Sequence, residues 1–130
     1  MDDVHPSDVR VENAPSDLLD RAISRWLPIR TDLDRLREVK RSFARGSQER
    51  SVARKALRRA RARYKDVLRG ERDVARKAHE GASARERPER RRDLIVANLT
   101  LQLFKRHVRG GSTKGAPRSD NASSYLSGPS

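Results

Sequence analysis

The chain has 130 residues, enough for one small domain, and Leu, Ile, Val and Phe account for only 26 of them. The absence of cysteine excludes disulfides, cysteine-based zinc sites and thiol catalysis. Lys and Arg number 31 against 18 Asp and Glu, and the resulting net charge of +13 is typical of a protein that binds a polyanion.

The chain changes character at Ser16. Residues 1–15 contain two prolines and four acidic residues without apolar periodicity, which predicts a disordered acidic arm. Ser16 can act as the N-cap of a helix, and Asp17 and Asp20 then lie where the helix dipole favours acids. A helix is therefore predicted to start here.

Residues 17–45 carry a heptad repeat that is typical of a coiled-coil seam. Its a positions are Leu19, Trp26, Leu33 and Lys40, and its d positions are Ala22, Ile29, Leu36 and Phe43. Pro28 removes a backbone donor inside this pattern, which predicts a kink or break near Leu27. The candidate oligomerisation residues are the large apolar members: Leu19, Trp26, Ile29, Leu33, Leu36 and Phe43.

A turn and a second heptad follow. Gly46 suits a left-handed position that ends a helix, and Ser47 suits the N-cap of the next helix. An Arg-rich helix is predicted over residues 48–80, with Leu57, Tyr64, Glu71 and Ala78 at a, and Ala53, Ala60, Val67 and Val74 at d. The two segments predict a helical hairpin over residues 16–80. Because a lone hairpin buries one thin seam, we expect homo-oligomers; the alternative is helices that are stable only on binding.

The remaining chain predicts a third helix and a tail. Residues 81–88 contain Gly, Ser and Pro breakers and predict a hinge. Eight of the eleven residues 94–104 are apolar and none is charged, which predicts a helix over residues 89–109, with a strand as the alternative. This helix either packs on the hairpin or stays exposed, as a docking segment or on an anionic membrane surface through residues 90–109.

The predicted fold class is therefore all-α: a helical hairpin or coiled coil with a third C-terminal helix and disordered termini. Residues 110–130, rich in Gly, Ser, Pro and Asn, form the predicted disordered tail. The start of the chain lacks the apolar stretch of a secretory signal, so we expect an intracellular protein.

The positive charge is concentrated in the second half. Residues 1–49 have a net charge of −1, whereas residues 50–118 have a net charge of +15. The densest stretch, residues 50–65, holds eight bases and no acid. On a helix, bases at positions 50, 54, 58, 61 and 65 align as one stripe, with about 5.4 Å per turn, which is comparable to the phosphate spacing of a nucleic acid. The alternative is a solvated helix face.

Arginine outnumbers lysine by 25 to 6, which favours RNA, because the guanidinium fork binds phosphate with two hydrogen bonds and stacks on bases. The candidate nucleic-acid-binding residues are Arg50, Arg54, Lys55, Arg58, Arg59, Arg61, Arg63 and Lys65, with Arg90, Arg91 and Arg92 as a second cluster. Such basic clusters are also typical of nuclear-import signals, which adds a nuclear location to the expectation.

Catalytic motifs are missing from the sequence. His5, His79 and His107 lie in different segments without metal-ligand spacing. No phosphate-binding glycine loop, nucleophile elbow or paired carboxylates are present. We therefore expect no enzyme activity, no metal and no cofactor. The expected partner is RNA or another polyanion; the alternative is a viral accessory or adaptor protein that binds an acidic protein, and membrane binding is the least favoured.

The run from Trp26 through Arg30 and Leu33 to Leu36, about eleven residues ahead of a basic region, resembles the start of the coiled coil in hepatitis delta antigens. The resemblance implies a small basic viral protein that oligomerises through an N-terminal antiparallel coiled coil and binds RNA in the nucleus. This chain departs from that family in its shorter length, its brief tail and its lack of a terminal prenylation motif. Residues 50–80 also resemble the Arg/Ala helix ahead of reverse transcriptases in retrotransposons without long terminal repeats, which likewise implies RNA association.

Overall fold

A computed structural model describes residues 4–112 of the chain. This part consists of helices joined by short connections, with α1 at Ser16–Arg41, α2 at Gln48–Glu80 and α3 at Arg87–Ser112. Two short 3-10 turns precede α1, at Pro6–Asp8 and Val11–Asn13. The predicted all-α fold with a third C-terminal helix is confirmed.

The start and middle of α1 differ from their predictions. Pro15 occupies the N-cap position and Ser16 is already helical, so the predicted capping role of Ser16 is wrong. The helix also continues through Pro28, so a break near Leu27 is wrong. Pro28 is exposed, and the buried Trp26 and Ile29 on either side of it hold both halves of α1 on the same core.

The turn between α1 and α2 follows its sequence closely. Gly46 has a φ of 80°, a left-handed conformation that other residues rarely adopt. The Ser47 hydroxyl accepts a hydrogen bond from the backbone amide of Arg50 at 3.1 Å and so caps α2. The left-handed Gly46 and the Ser47 cap are confirmed, but Gly46 does not itself end the helix, because α1 ends at Arg41 with Ser42 as its C-cap, earlier than the predicted residue 45.

The three helices form a bundle in which each helix contacts the other two. The apolar run of α3 lies at the centre, and the Trp26 ring of α1 packs edge-on against Phe104 with ring centroids 6.2 Å apart. The buried side chains of α3 are Leu94, Ile95, Leu99, Thr100, Leu101, Leu103 and Phe104. The apolar segment therefore packs on the hairpin, and the alternative that it stays exposed as a docking segment is wrong.

This packing corrects the predicted association seam. Trp26, Ile29 and Leu33 are at most 2% exposed, because α3 of the same chain covers them. Leu19 and Leu36 are half-buried, and Phe43 lies exposed beyond the end of α1. The heptad correctly marked a buried stripe, but the stripe is filled within one chain and does not present a coiled-coil surface to a second copy.

The second heptad loses register after Tyr64. Leu68 is 1% exposed, whereas the predicted d positions Val67 and Val74 are 43% and 69% exposed. A straight helix has 3.6 residues per turn and drifts away from a strict seven-residue repeat, which moves the buried stripe from Val67 to Leu68. Glu71, a predicted a position, is exposed and pairs with Arg25 of α1 at 2.5 Å.

The predicted disorder of residues 1–15 is wrong for the described residues 4–15. The Gln102 side chain of α3 donates to the Val9 carbonyl at 2.8 Å and accepts from the Val11 amide at 3.2 Å. Pro6 and Val9 are buried against the bundle. The partner that orders this segment lies about 90 residues away in sequence, so local composition gave no indication of it. The predicted tail continues α3 as far as Ser112, and the rest of it lies outside the described residues.

Candidate nucleic-acid interface

Bases gather at one end of the bundle, which we call the hairpin end. It comprises the last turns of α1, the α1–α2 turn, the first half of α2 and the last turns of α3. Residues 37–65 alone hold twelve bases and two acids, for a net charge of +10. The predicted stripe on α2 lies here, and its bases line three hollows that follow one another along the helix.

The first hollow, the turn hollow, lies at the start of α2 and has a volume of about 460 Å³. Arg45, Arg50 and Arg54 line it together with Ser47 and Ser51. The Arg50 guanidinium also donates to the Phe43 carbonyl at 3.2 Å, which fixes it across the turn. The hollow thus combines guanidinium groups and hydroxyls around the positive end of the α2 dipole.

The second hollow, the α1–α2 groove, has a volume of about 270 Å³ and a lining of six bases around Leu57. The six bases are Arg37, Lys40 and Arg41 from α1, and Arg54, Arg58 and Arg61 from α2. Burial lowers the pKa of Lys40, and the positive charges of Arg50 and Arg61 lower it further. Burial also lowers the pKa of Arg61, with a contribution from Arg37. These shifts indicate positive charges crowded together.

The third hollow, the α2–α3 hollow, has a volume of about 600 Å³. Its basic rim consists of Arg61, Lys65, Arg69, Lys105 and Arg109, and its floor of Ala62, Phe104 and Val108. Burial lowers the pKa of Lys105, and the nearby charges of Arg69 and Arg72 add to the effect. Arg54 lines the first two hollows and Arg61 the last two, so the three form one continuous basic surface.

Within residues 4–112, none of the bases from Arg45 to Arg69 has a carboxylate at ion-pair distance. The nearby Asp32 is already engaged, because the Tyr64 hydroxyl donates to it at 2.7 Å and Arg35 pairs with it at 2.6 Å. These two partners lower the pKa of Asp32 and keep it ionised. The positive charge of the α2 bases from Arg50 to Arg69 is therefore not compensated by ion pairs within residues 4–112, whereas Arg41 of the α1–α2 groove pairs with Glu38 at 3.6 Å.

The predicted residues of α2 divide into two groups. Those that line the hollows are Arg50, Arg54, Arg58, Arg61 and Lys65. Lys55, Arg59 and Arg63 are exposed on α2 beside the hollows. Sequence reasoning missed the rest of the lining, most of which comes from outside α2: Arg37, Lys40 and Arg41 of α1, Arg45 of the turn, Arg69 of α2, and Lys105 and Arg109 of α3.

The second predicted cluster lies elsewhere and has other partners. Arg90 pairs with Asp93 at 3.7 Å, Arg92 pairs with Asp17 of α1, and Arg91 donates to the Val4 carbonyl. Fifteen residues of α3 separate Arg90 from Lys105, or about 22 Å of helix. The structure therefore does not bring this cluster to the basic surface. Arg91 and Arg92 join α3 to the N-terminal segment and to α1, and Arg90 pairs within α3.

One sequence signal for the missed α1 residues was present. In an antiparallel hairpin, residues at similar distances from the turn lie near each other, so the bases just before Gly46, such as Lys40, are expected near the bases of the first turns of α2. Lys105 and Arg109 lie one turn apart on α3, but only the tertiary packing of α3 shows that they face α2.

The chain matches no protein family model, no curated protein and no solved structure. Among the helices of residues 4–112, none has the length and apolarity needed to cross a membrane. In the same part of the chain, no three His, Asp or Glu side chains group as metal ligands would.

Proposed function

We propose that this protein binds RNA through the basic surface and does so without a catalytic step. The observation that carries the proposal is the row of three linked hollows, whose α2 bases have no ion-pair partner among residues 4–112. Uncompensated, closely spaced cations bind a polyanion strongly, because binding releases the counterions condensed on its phosphates.

The dimensions of the surface support a polymer as its ligand. From Arg50 to Lys65 the α2 stripe extends about 22 Å, which is long enough to contact several successive phosphates of one nucleic-acid strand. The lining is mostly arginine, which suits RNA because guanidinium groups bind phosphate bidentately and stack on unpaired bases. The resemblances noted for residues 26–36 and 50–80 imply RNA association as well.

The proposal does not include self-association through the heptad of α1. Because Trp26, Ile29 and Leu33 are buried by α3, the fold buries its apolar stripe without a second copy. We therefore propose that a single chain forms the RNA-binding surface.

The test is the affinity of nuclease-treated protein for single-stranded RNA over a series of salt concentrations. With about six phosphates neutralised, the logarithm of affinity should fall with the logarithm of salt with a slope of about −4. Duplex DNA, heparin and an acidic peptide serve as comparisons, and RNA should bind most tightly. Equal affinity for all four would show that the charge acts generically. Tighter binding of the acidic peptide would favour the adaptor alternative.

A further inference from the structure

The three hollows of the basic surface differ in their floors. The turn hollow is lined by arginines, serines and Gly46, and the α1–α2 groove has one apolar side chain, Leu57. The α2–α3 hollow instead has Ala62, Phe104 and Val108 beneath its basic rim. A phosphate can bind to the basic rim alone. The apolar floor, in contrast, suits a ligand that has an apolar face as well as a negative charge.

We propose that the α2–α3 hollow binds one unstacked base of a single-stranded nucleic acid, with the flanking phosphates on its basic rim. This inference rests on the proposed function and adds a preference for single strands over duplexes. The volume of about 600 Å³ lies within the range of ordinary ligand pockets. Proteins that bind single strands combine a basic groove with apolar or aromatic side chains that receive bases.

The charges around the hollow fit phosphates on both sides of the base. Lys65, Arg69 and Lys105 have no carboxylate at ion-pair distance among the described residues. Lys105 carries a lowered pKa because burial and the neighbouring cations disfavour its charge. A phosphate on the rim would offset this repulsion, so binding of the anion and of the base would support each other.

Continuity of the surface favours a nucleic acid over an anionic lipid. Arg61 is shared with the α1–α2 groove, and Arg54 connects that groove to the turn hollow. A lipid headgroup would occupy the rim of one hollow only. A strand with repeated phosphates can place a base in the α2–α3 hollow and continue along the other two.

The test compares two single-stranded oligonucleotides of about ten nucleotides, one with adenine bases and one abasic, on the full chain. Both carry the same phosphates, so the base-bearing strand should bind about 10-fold more tightly. Ala62→Phe fills the hollow without changing charge and should remove most of this difference. The matched control is Ala78→Phe, which adds the same ring at another exposed alanine of α2 and should leave the difference intact. Circular dichroism verifies that both variants fold.

The possible failures are distinguishable. If the wild type binds both strands equally, the base site is wrong although the proposed function stands. If it binds neither strand, both are wrong. If vesicles containing anionic lipid bind more tightly than the base-bearing strand and Ala62→Phe abolishes their binding, the hollow is a lipid site.

Discussion

At the end of the bundle opposite the hairpin end, arginines meet carboxylates across helix boundaries, whereas at the hairpin end they meet other bases. Arg21 of α1 pairs with Asp93 of α3 at 3.2 Å, and Arg25 pairs with Glu71 of α2 at 2.5 Å. Across the α1–α2 groove, by contrast, Arg61 faces Arg37. The same residue type thus neutralises its neighbours at one end and projects charge into solvent at the other.

The comparison shows that the placement of acids, more than the number of arginines, defines the candidate interface. Exposed ion pairs contribute only about 0–1 kcal/mol each, so the pairs at the opposite end add little stability. Their main effect is to cancel positive charge there. The net positive charge is left concentrated on the basic surface, so under the proposed function a polyanion should approach the hairpin end first.

The largest expected effect is on the free energy of unfolding, through the apolar core that lies between the two ends of the bundle. Leu68→Ala removes a buried side chain of α2 and should lower the free energy of unfolding by about 2–5 kcal/mol. Val67→Ala, next to it and 43% exposed, should change it by less than about 1 kcal/mol. Chemical denaturation of both variants tests the buried register of α2. A larger loss of unfolding free energy for Val67→Ala than for Leu68→Ala would show that Val67 is the buried residue, as the strict heptad predicts, and would contradict the packing of α2 described here.

A smaller effect is expected where the N-terminal segment meets α3. Gln102→Ala removes the partner of both the Val9 carbonyl and the Val11 amide, which should cost about 1–3 kcal/mol. Faster hydrogen exchange at the Val11 amide would report the loss directly. Because this segment also brings Glu12 to Arg106 at 2.5 Å, its release would unpair one more base. Unchanged exchange at Val11 would mean that Gln102 does not hold the segment.

The smallest effect concerns pH, through His107 in the last turns of α3. Its Nε2 lies 3.0 Å from Asp34, but burial and the charge of Arg37 outweigh this carboxylate and lower the pKa of His107 below 6.5. A histidine with a lowered folded pKa binds protons more readily when unfolded, so stability should fall as pH drops below about 6.5.

Urea denaturation at about pH 7.5 and 5.5 measures this dependence, above the range in which the carboxylates titrate. His107→Gln should reduce the change in stability between these two pH values. In the wild type, the fluorescence of Trp26 should change over the same pH interval, because its ring centroid is 5.3 Å from that of His107. Stability that rises towards pH 5.5 would show that the ion pair with Asp34 dominates.

The sequence predicted those features that depend on neighbouring residues. Gly46 and Ser47 define the turn by local backbone chemistry, and the α2 stripe from Arg50 to Lys65 follows from helical periodicity. The turn can be predicted from a few consecutive residues, and the stripe from the geometry of a single helix.

Features that depend on distant residues were not predictable in the same way. The heptad containing Trp26 and Leu33 indicates a buried stripe but not what covers it, and α3 of the same chain covers it as well as a second copy would. Gln102 orders Val9 and Val11 through an amide that looks like any other polar residue in the sequence. Lys105 and Arg109 of α3 were not predicted to belong to the basic surface, because their position beside α2 depends on tertiary packing.

The measurement that tests the central claim most directly is the RNA affinity of two charge-matched triple variants, one for each end. Arg54, Arg58 and Arg61 are changed to Gln on the basic surface, and Arg21, Arg25 and Arg76, which all lie in ion pairs, are changed to Gln elsewhere. The first variant should lose about 100-fold in affinity and reduce the salt slope by about 2, whereas the second should stay within about threefold of the wild type. Equal losses in the two variants would show that net charge alone drives binding and would contradict the basic surface as the RNA site.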